Sequence, residues 1–138
     1  MKKLKNIGLL LLVLCSISSC ILEDVEPEYD IIGAVGTISD LTASTTNPTV
    51  GQTVTFTVTF YSEHENAREL KMNRLEGTVA TTLENRTFTS WNREDSYVET
   101  FQYVVPDGTA GTSIVIQFEL VTESNFSRTR NITLQVSE

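Results

Sequence analysis

The sequence predicts an all-β domain made of two antiparallel sheets packed face to face. After about residue 34, apolar and polar residues alternate over several short runs, which is the period of a strand with one buried face. Clusters of turn-forming residues separate these runs. About 105 residues lie in this part of the chain, enough for one hydrophobic core and too few for two. Together these observations predict a single sandwich of about seven strands.

The clearest strand runs from Gln52 to Tyr61 and contains the segment VTFTVTF. One face is entirely apolar and the other is threonine, and the apolar residues are Val54, Phe56, Val58 and Phe60. A first strand is predicted upstream, from Ala34 to Leu41. The turn signals at Asn47-Pro48 and Gly51 then lead into the VTFTVTF strand.

Three further strands are predicted in the C-terminal half. Phe101, Tyr103 and Val105 share one face of a strand from Tyr97 to Val105, which the turn Pro106-Asp107-Gly108 ends. The next strand has an inward face of Ile114, Ile116, Phe118 and Leu120, and the last has one of Ile132, Leu134 and Val136. The polar break Glu123-Ser124-Asn125 between them suits a hairpin turn.

The middle of the chain is ambiguous. Residues from Glu63 to Glu76 include many helix-favouring types, so local propensity alone favours a helix. A strand is the preferred interpretation, because Leu70 and Met72 alternate, Gly77 ends the run, and a sandwich needs a strand here. A short edge strand from Thr78 to Leu83 is predicted to follow.

The N-terminal residues have the order of a secretory signal. Three lysines precede an apolar stretch from Ile7 to Cys15, and serines follow it up to Cys20. The stretch is shorter than the roughly 20 apolar residues that a membrane span needs. Ile17-Ser18-Ser19-Cys20 resembles the lipobox of bacterial lipoproteins, which implies removal of residues 1–19 and lipidation of Cys20. The alternative is a plain signal peptide with an incidental cysteine.

The residues after Cys20 carry a very different charge from the predicted signal peptide. All 18 acidic residues lie after Cys20 and only seven of the ten basic ones do, a formal charge of −11. Such a surface excludes phosphate-backbone binding, so no nucleic-acid partner is expected. Residues 20–33 are rich in acid and predict a flexible tether. Acid beside a lipidated cysteine is similar to the surface-export signal of Bacteroidota lipoproteins; a generic polar spacer is the alternative.

The predicted strands also resemble a known family of domains. Pro48, Gly51, Val54 and Phe56 resemble the opening motif of immunoglobulin-like domains in Bacteroidota cell-surface lipoproteins. A second motif of those domains, an aromatic strand ending in Val-Pro, is matched by the residues Phe101, Tyr103, Val105 and Pro106. The resemblance implies an immunoglobulin-like β-sandwich over residues 34–138, held at the outer membrane and facing the cell surface or the periplasm. These motifs concern packing and turns, so they imply no activity.

Catalytic motifs are absent from the sequence. His64 is the only histidine, and the zinc-protease pattern His-Glu-x-x-His fails because Arg68 stands at its last position. No nucleophile elbow is present, and no cofactor or metal is expected. A pair of catalytic carboxylates, as in glycosidases, is a further open hypothesis. Its candidate residues are Glu63, Glu65, Glu94, Asp95 and Glu99. Calcium ligation by Asp107, Glu94 and Asp95 is a further hypothesis.

Phe88 and Trp91 are the candidate ligand-binding residues, because they lie in a polar segment where aromatic rings can stack on a sugar or enter a partner's pocket. The alternative is that both rings cap one end of the core. The sequence thus favours a non-enzymatic, lipid-anchored binding module that contacts a protein or a glycan through loops or a sheet edge. Two alternatives are an accessory carbohydrate-binding lipoprotein of a glycan-uptake system and a structural component of envelope or pilus machinery.

Overall fold

The computed structural model describes residues 36–138, and the predicted signal peptide and tether lie outside these residues. Seven strands form two antiparallel sheets: β1 Thr37–Ala43, β2 Thr53–Tyr61, β3 Ala67–Glu76, β4 Val79–Thr87, β5 Tyr97–Val104, β6 Ser113–Thr122 and β7 Ser127–Gln135. One sheet has the order β1-β2-β5 and the other β4-β3-β6-β7. The predicted all-β, immunoglobulin-like sandwich is confirmed. Within residues 36–138 there is no helix that is apolar and long enough to cross a membrane.

Strand β2 is the centre of the three-stranded sheet. Its four apolar side chains are fully buried, as the alternation predicts, whereas the intervening threonines lie on the outer face. β1 pairs with one edge of β2, and its register shifts between Ile38 and Asp40. β5 pairs with the other edge through eight successive residues without any irregularity.

Residues 67–76 form strand β3, so the strand interpretation of the middle segment is confirmed. Leu70 and Met72 are buried in the core, at 0% and 2% exposure. Burial of these two side chains between flanking strands outweighs the small helix propensity of their neighbours. The strand is shorter than the predicted segment, because residues 63–66 lie in the loop before β3.

Strand β4 begins near the predicted position but extends to Thr87, four residues beyond Leu83. It is an edge strand that pairs only with β3, and nearly all of its residues are exposed. The extra residues of β4 are held by backbone pairing with β3, since no alternation of apolar residues marks the segment from Glu84 onward.

The two sheets meet through a cluster of phenylalanine rings. Phe118 of β6 makes edge-to-face contacts with Phe56 and Phe101 of the opposite sheet, at centroid distances of 5.5 and 5.2 Å. All three rings are buried, and aromatic pairs in this geometry stabilise a core by about 0.5–1.5 kcal/mol each beyond their burial. Neither cysteine of the chain lies in residues 36–138, so packing and hydrogen bonds hold the described sandwich together.

The two lateral sides of the sandwich differ. On the β1/β7 side, Arg130 donates hydrogen bonds to the carbonyls of Ile38 and Ser39. The backbone amide of Gln135 donates to the Thr46 carbonyl at 2.8 Å on the same side. On the β4/β5 side, the Arg86 guanidinium of β4 lies 5.4 Å from the centre of the Phe101 ring of β5.

Candidate binding surface

Three loops meet at one end of the sandwich, and we call them together the loop end: residues 62–66, 88–96 and 123–126. The antiparallel order of the strands places all three there, since each joins strands that finish or begin at that end. Thr37 pairs with Tyr61, so the chain also enters the sandwich at the loop end.

The first and third of these loops are joined by hydrogen bonds. The Glu123 amide donates to the Asn66 carbonyl at 3.1 Å, and the Asn66 side-chain amide donates to the Glu123 carboxylate at 3.2 Å. The Ser124 amide donates to the Glu65 carboxylate at 2.6 Å. Asn125, which has a positive φ of 66°, accepts a hydrogen bond from Arg68. Backbone and side chains thus fix these two loops against each other.

The segment from 88 to 96 is held against the first loop. The indole N–H of Trp91 donates to the carbonyl of Ser62 at 3.0 Å. Arg93 Nε donates to Asn66 Oδ1 at 3.2 Å. Asn92 closes the segment locally, because its amide donates to the Tyr97 hydroxyl at 2.8 Å.

Phe88 and Trp91, the aromatic residues proposed from sequence, pack against the end of the core and are partly buried. Trp91 stacks on Tyr97 with ring centroids 4.1 Å apart, and it lies 6.0 Å from Phe60. Phe88 lies 5.5 Å from both Phe60 and Trp91. Both side chains therefore close the core at the loop end, and the part that stays exposed is available for contact.

A small open depression lies on the loop end beside this aromatic cluster. It is lined by charged and polar residues from β2, the first loop and the segment before β5: Tyr61, Glu63, Arg93, Glu94, Asp95 and Ser96. Three carboxylates and one guanidinium thus surround it. The sequence analysis identified its three acidic residues but not Tyr61, Arg93 and Ser96, because no local pattern marks residues that only the fold brings together.

Glu65 is the carboxylate whose titration the loop end perturbs. The hydrogen bond from Ser124 lowers the pKa of Glu65 below its ordinary value of 4.5, although burial opposes this. Glu65 Oε1 accepts the Ser124 amide, and the Thr122 hydroxyl and the Arg93 guanidinium also favour the ionised carboxylate. The ionised form of Glu65 therefore holds the first and third loops together.

The calcium hypothesis for Asp107, Glu94 and Asp95 is wrong as stated. Glu94 and Asp95 precede β5 at the loop end, whereas Asp107 follows β5. Eight residues of strand separate them, and at about 3.3 Å per residue they lie roughly 25 Å apart along the sandwich. Across residues 36–138, no three His, Cys, Asp or Glu side chains cluster as metal ligands would. His64 is exposed in the first loop.

Comparison with known proteins shows the fold and no family. No protein-family model matches the chain, and no curated protein does either. A Niemann-Pick type C2 protein from the Japanese carpenter ant is similar in structure, with a TM-score of 0.56 and 10% sequence identity. The match covers 75% of this chain and 93% of that one.

Two further solved structures have comparable similarity. A superoxide reductase (neelaredoxin) from Ignicoccus hospitalis has a TM-score of 0.51 and 12% identity, covering 74% of this chain and 82% of its own. The PKD domain of an M14-like peptidase from Thermoplasmatales archaeon SCGC AB-540-F20 has a TM-score of 0.50 and 10% identity, covering 75% and 94%. At such identities the likeness defines a β-sandwich and nothing about activity.

Proposed function

We propose that this chain is a lipid-anchored binding module without catalytic activity, which contacts its partner through the loop end. The observation that carries the proposal is the network of hydrogen bonds between the three loops. A surface that is already ordered loses less conformational entropy when a partner binds. Loops clustered at one end of a sandwich are also the binding surface of immunoglobulin variable domains.

The anchor is proposed at Cys20, on the strength of the lipobox-like sequence before it. Two or more acyl chains give stable attachment to a bilayer without any spanning helix. Gly36 follows Cys20 by 16 residues, so the intervening chain can span at most about 55 Å. We expect the partner to be a component of the same membrane, because an anchored module is confined to that surface. The outer membrane of a Bacteroidota cell, with surface exposure, is the proposed location.

A protein partner fits the loop end better than a glycan that stacks on Trp91. One face of the Trp91 ring is stacked on Tyr97, and its N–H is already bonded to the Ser62 carbonyl. The neighbouring depression offers the Arg93 guanidinium among carboxylates, which suits charged side chains of a protein. Glycan binding remains the second candidate, because part of the Trp91 and Phe88 rings stays exposed.

The experiment is site-specific photo-crosslinking of the full chain in native membranes. A photoreactive amino acid at Arg93 is expected to capture a defined partner. The matched control carries the same group at Thr133, which is exposed on β7 away from the loops. Equal capture from both positions, or none from position 93, would contradict binding at the loop end.

The glycan alternative has its own readout. Trp91 is the only tryptophan of the chain, so intrinsic fluorescence reports directly on the loop end. Titration with soluble oligosaccharides is expected to leave the emission unchanged. A saturable shift that is lost in Phe88→Ala would favour the carbohydrate-binding function over the protein-binding one.

A further inference from the structure

The four edge strands of the two sheets differ in how they are protected from pairing with another chain. Exposed edges are usually blocked by bulges, by inward-pointing charges or by covering segments. β1 has an irregular register at Ile38/Asp40, and Arg130 covers its carbonyls there. The backbone amide of Gln135, the last residue of β7, donates to the Thr46 carbonyl, and the amide of Ser137 just after it donates to the Pro48 carbonyl.

β4 has two protecting features. Its register with β3 shifts between Met72 and Asn73, which interrupts the regular edge. Glu84 and Arg86 stand opposite the buried residues of β3, point inward and pair with each other at 2.6 Å. These features are typical of an edge that is kept from joining a second sheet.

Within residues 36–138, β5 has no bulge and no covering segment along its open edge, although Glu99 shares the inward face with Phe101 and Tyr103. Its eight residues pair regularly with β2, and it contains no proline and no lysine or arginine. Its outward-facing residues are uncharged: Val98, Thr100, Gln102 and Val104. Val98 and Val104 are each 59% exposed, a large apolar exposure at both ends of one short strand.

Hydrogen bonds near the end of β5 show which backbone groups are free. The Val105 amide donates to the Gln52 carbonyl at 3.0 Å, and the Val105 carbonyl accepts from the Gly51 amide at 2.9 Å. Val105 therefore turns both of its groups toward β2. Backbone direction alternates along a strand, so the even-numbered residues from Val98 to Val104 direct their N–H and C=O groups to the open edge.

We propose that β5 pairs antiparallel with β5 of a second copy of this chain, joining the two three-stranded sheets into one of six strands. In the register centred on Phe101, Val98 lies opposite Val104 of the second copy and Thr100 lies opposite Gln102. The residues with free backbone groups then face each other, as hydrogen-bonded pairs require. Four such pairs give eight new backbone hydrogen bonds.

Charge and composition also favour a second copy of this chain as the partner of β5. The chain is strongly acidic, so a second copy must approach at a surface that carries little charge. Glu99 is the only charged residue of β5, and in this register it faces Tyr103 of the second copy, not another Glu99. The four exposed valines cover one another in two apolar pairs.

The proposed interface between two copies is small, so the fraction of paired copies depends on their local concentration in the membrane. A single pair of strands buries less than the roughly 800 Å² per partner of a standard stable interface. Copies held on one membrane meet at a high effective concentration, which favours a weak contact. The register itself depends neither on the anchor nor on the loop end, which has a separate crosslinking test.

The test is disulfide crosslinking between two co-expressed, differently tagged full-length variants, Thr100→Cys and Gln102→Cys, in membranes treated with a mild copper oxidant. Opposed residues of a hydrogen-bonded pair have Cα atoms about 5.5 Å apart, within the range of a disulfide. A heterodimer band is expected, at least tenfold above that of either variant alone. Thr57→Cys, on the same outer face but on the central strand β2, is the matched control for random contact.

Charge exchange tests the register independently. Val98→Lys/Val104→Lys places lysines opposite each other and is expected to reduce the heterodimer band at least tenfold. Val98→Lys/Val104→Glu places a lysine opposite a glutamate twice in the proposed register. This variant is expected to restore the heterodimer band. Circular dichroism confirms that each variant folds.

Three results would overturn the proposal. One is a heterodimer band no stronger than that of the Thr57→Cys control. Another is failure of the Lys/Glu variant to restore crosslinking that the Lys/Lys variant has lost. The third is capture of a different polypeptide by Thr100→Cys in place of the second copy, which would assign the edge to another partner.

Discussion

Truncation of Phe118 is the sharpest test of how the two sheets are held together. The ring is fully buried and touches Phe56 and Phe101 of the opposite sheet, so Phe118→Ala removes both contacts and leaves a cavity. Substitutions of this kind cost about 3–5 kcal/mol. Domains of this size have total stabilities of about 5–15 kcal/mol, so the variant is expected to lose a large share of its stability.

The matched control is Phe126→Ala, the same chemical change at a ring that is 43% exposed in the turn after β6. The contribution of Phe126 to the turn is its backbone carbonyl, which accepts from the Thr122 amide and survives the substitution. We expect a cost below about 0.5 kcal/mol there.

Urea unfolding of the unacylated domain, followed by circular dichroism, measures both effects. With a slope of about 1–3 kcal/mol per molar, the Phe118→Ala midpoint should fall by more than about 1 M. A loss below about 1 kcal/mol, or an equal loss in Phe126→Ala, would refute the proposed role of Phe118 in joining the sheets.

The remaining predictions concern single polar contacts, and each is read from urea midpoints. Trp91→Phe keeps a ring but loses the bond to Ser62, so about 1 kcal/mol should be lost, and Trp91→Ala should cost more; equal costs would contradict this. Because the pKa of Glu65 is lowered on folding, its stabilisation is present above pH 4.5 and lost as pH falls through the folded value. Glu65→Gln, which cannot ionise beside Ser124, should therefore destabilise at pH 7 and have little effect at pH 3; an unchanged difference would contradict the assignment. Tyr103→Phe removes a buried hydroxyl that makes no well-formed hydrogen bond within residues 36–138, although Arg74 is near it, so stability should change by less than about 1 kcal/mol; a larger loss would show that the Arg74 contact stabilises the fold.

The fold was predictable wherever burial imposes a period on the sequence. The alternating apolar residues of β2 and β6 fix both the strands and their inward faces, and these are buried as expected. The end of β4 was not predictable, since an exposed edge strand needs no apolar alternation and backbone pairing with β3 determines its length.

At the loop end, the sequence pointed to two aromatic residues but not to the contacts that order the loops. Phe88 and Trp91 stood out because aromatic rings are unusual in a polar segment. The contacts that order the surface, from Trp91 to Ser62 and from Ser124 to Glu65, join residues 29 and 59 positions apart. No local pattern connects such residues, because the antiparallel strand order alone brings their loops to one end.

Mass spectrometry of the mature N-terminus is the decisive measurement for the proposed anchor, because the proposed membrane location depends on lipidation of Cys20. We expect the purified chain to begin at Cys20 and to carry acyl chains, and we expect Cys20→Ala to leave the membrane fraction. An unmodified Cys20, or a mature chain that begins elsewhere, would contradict the proposed anchor.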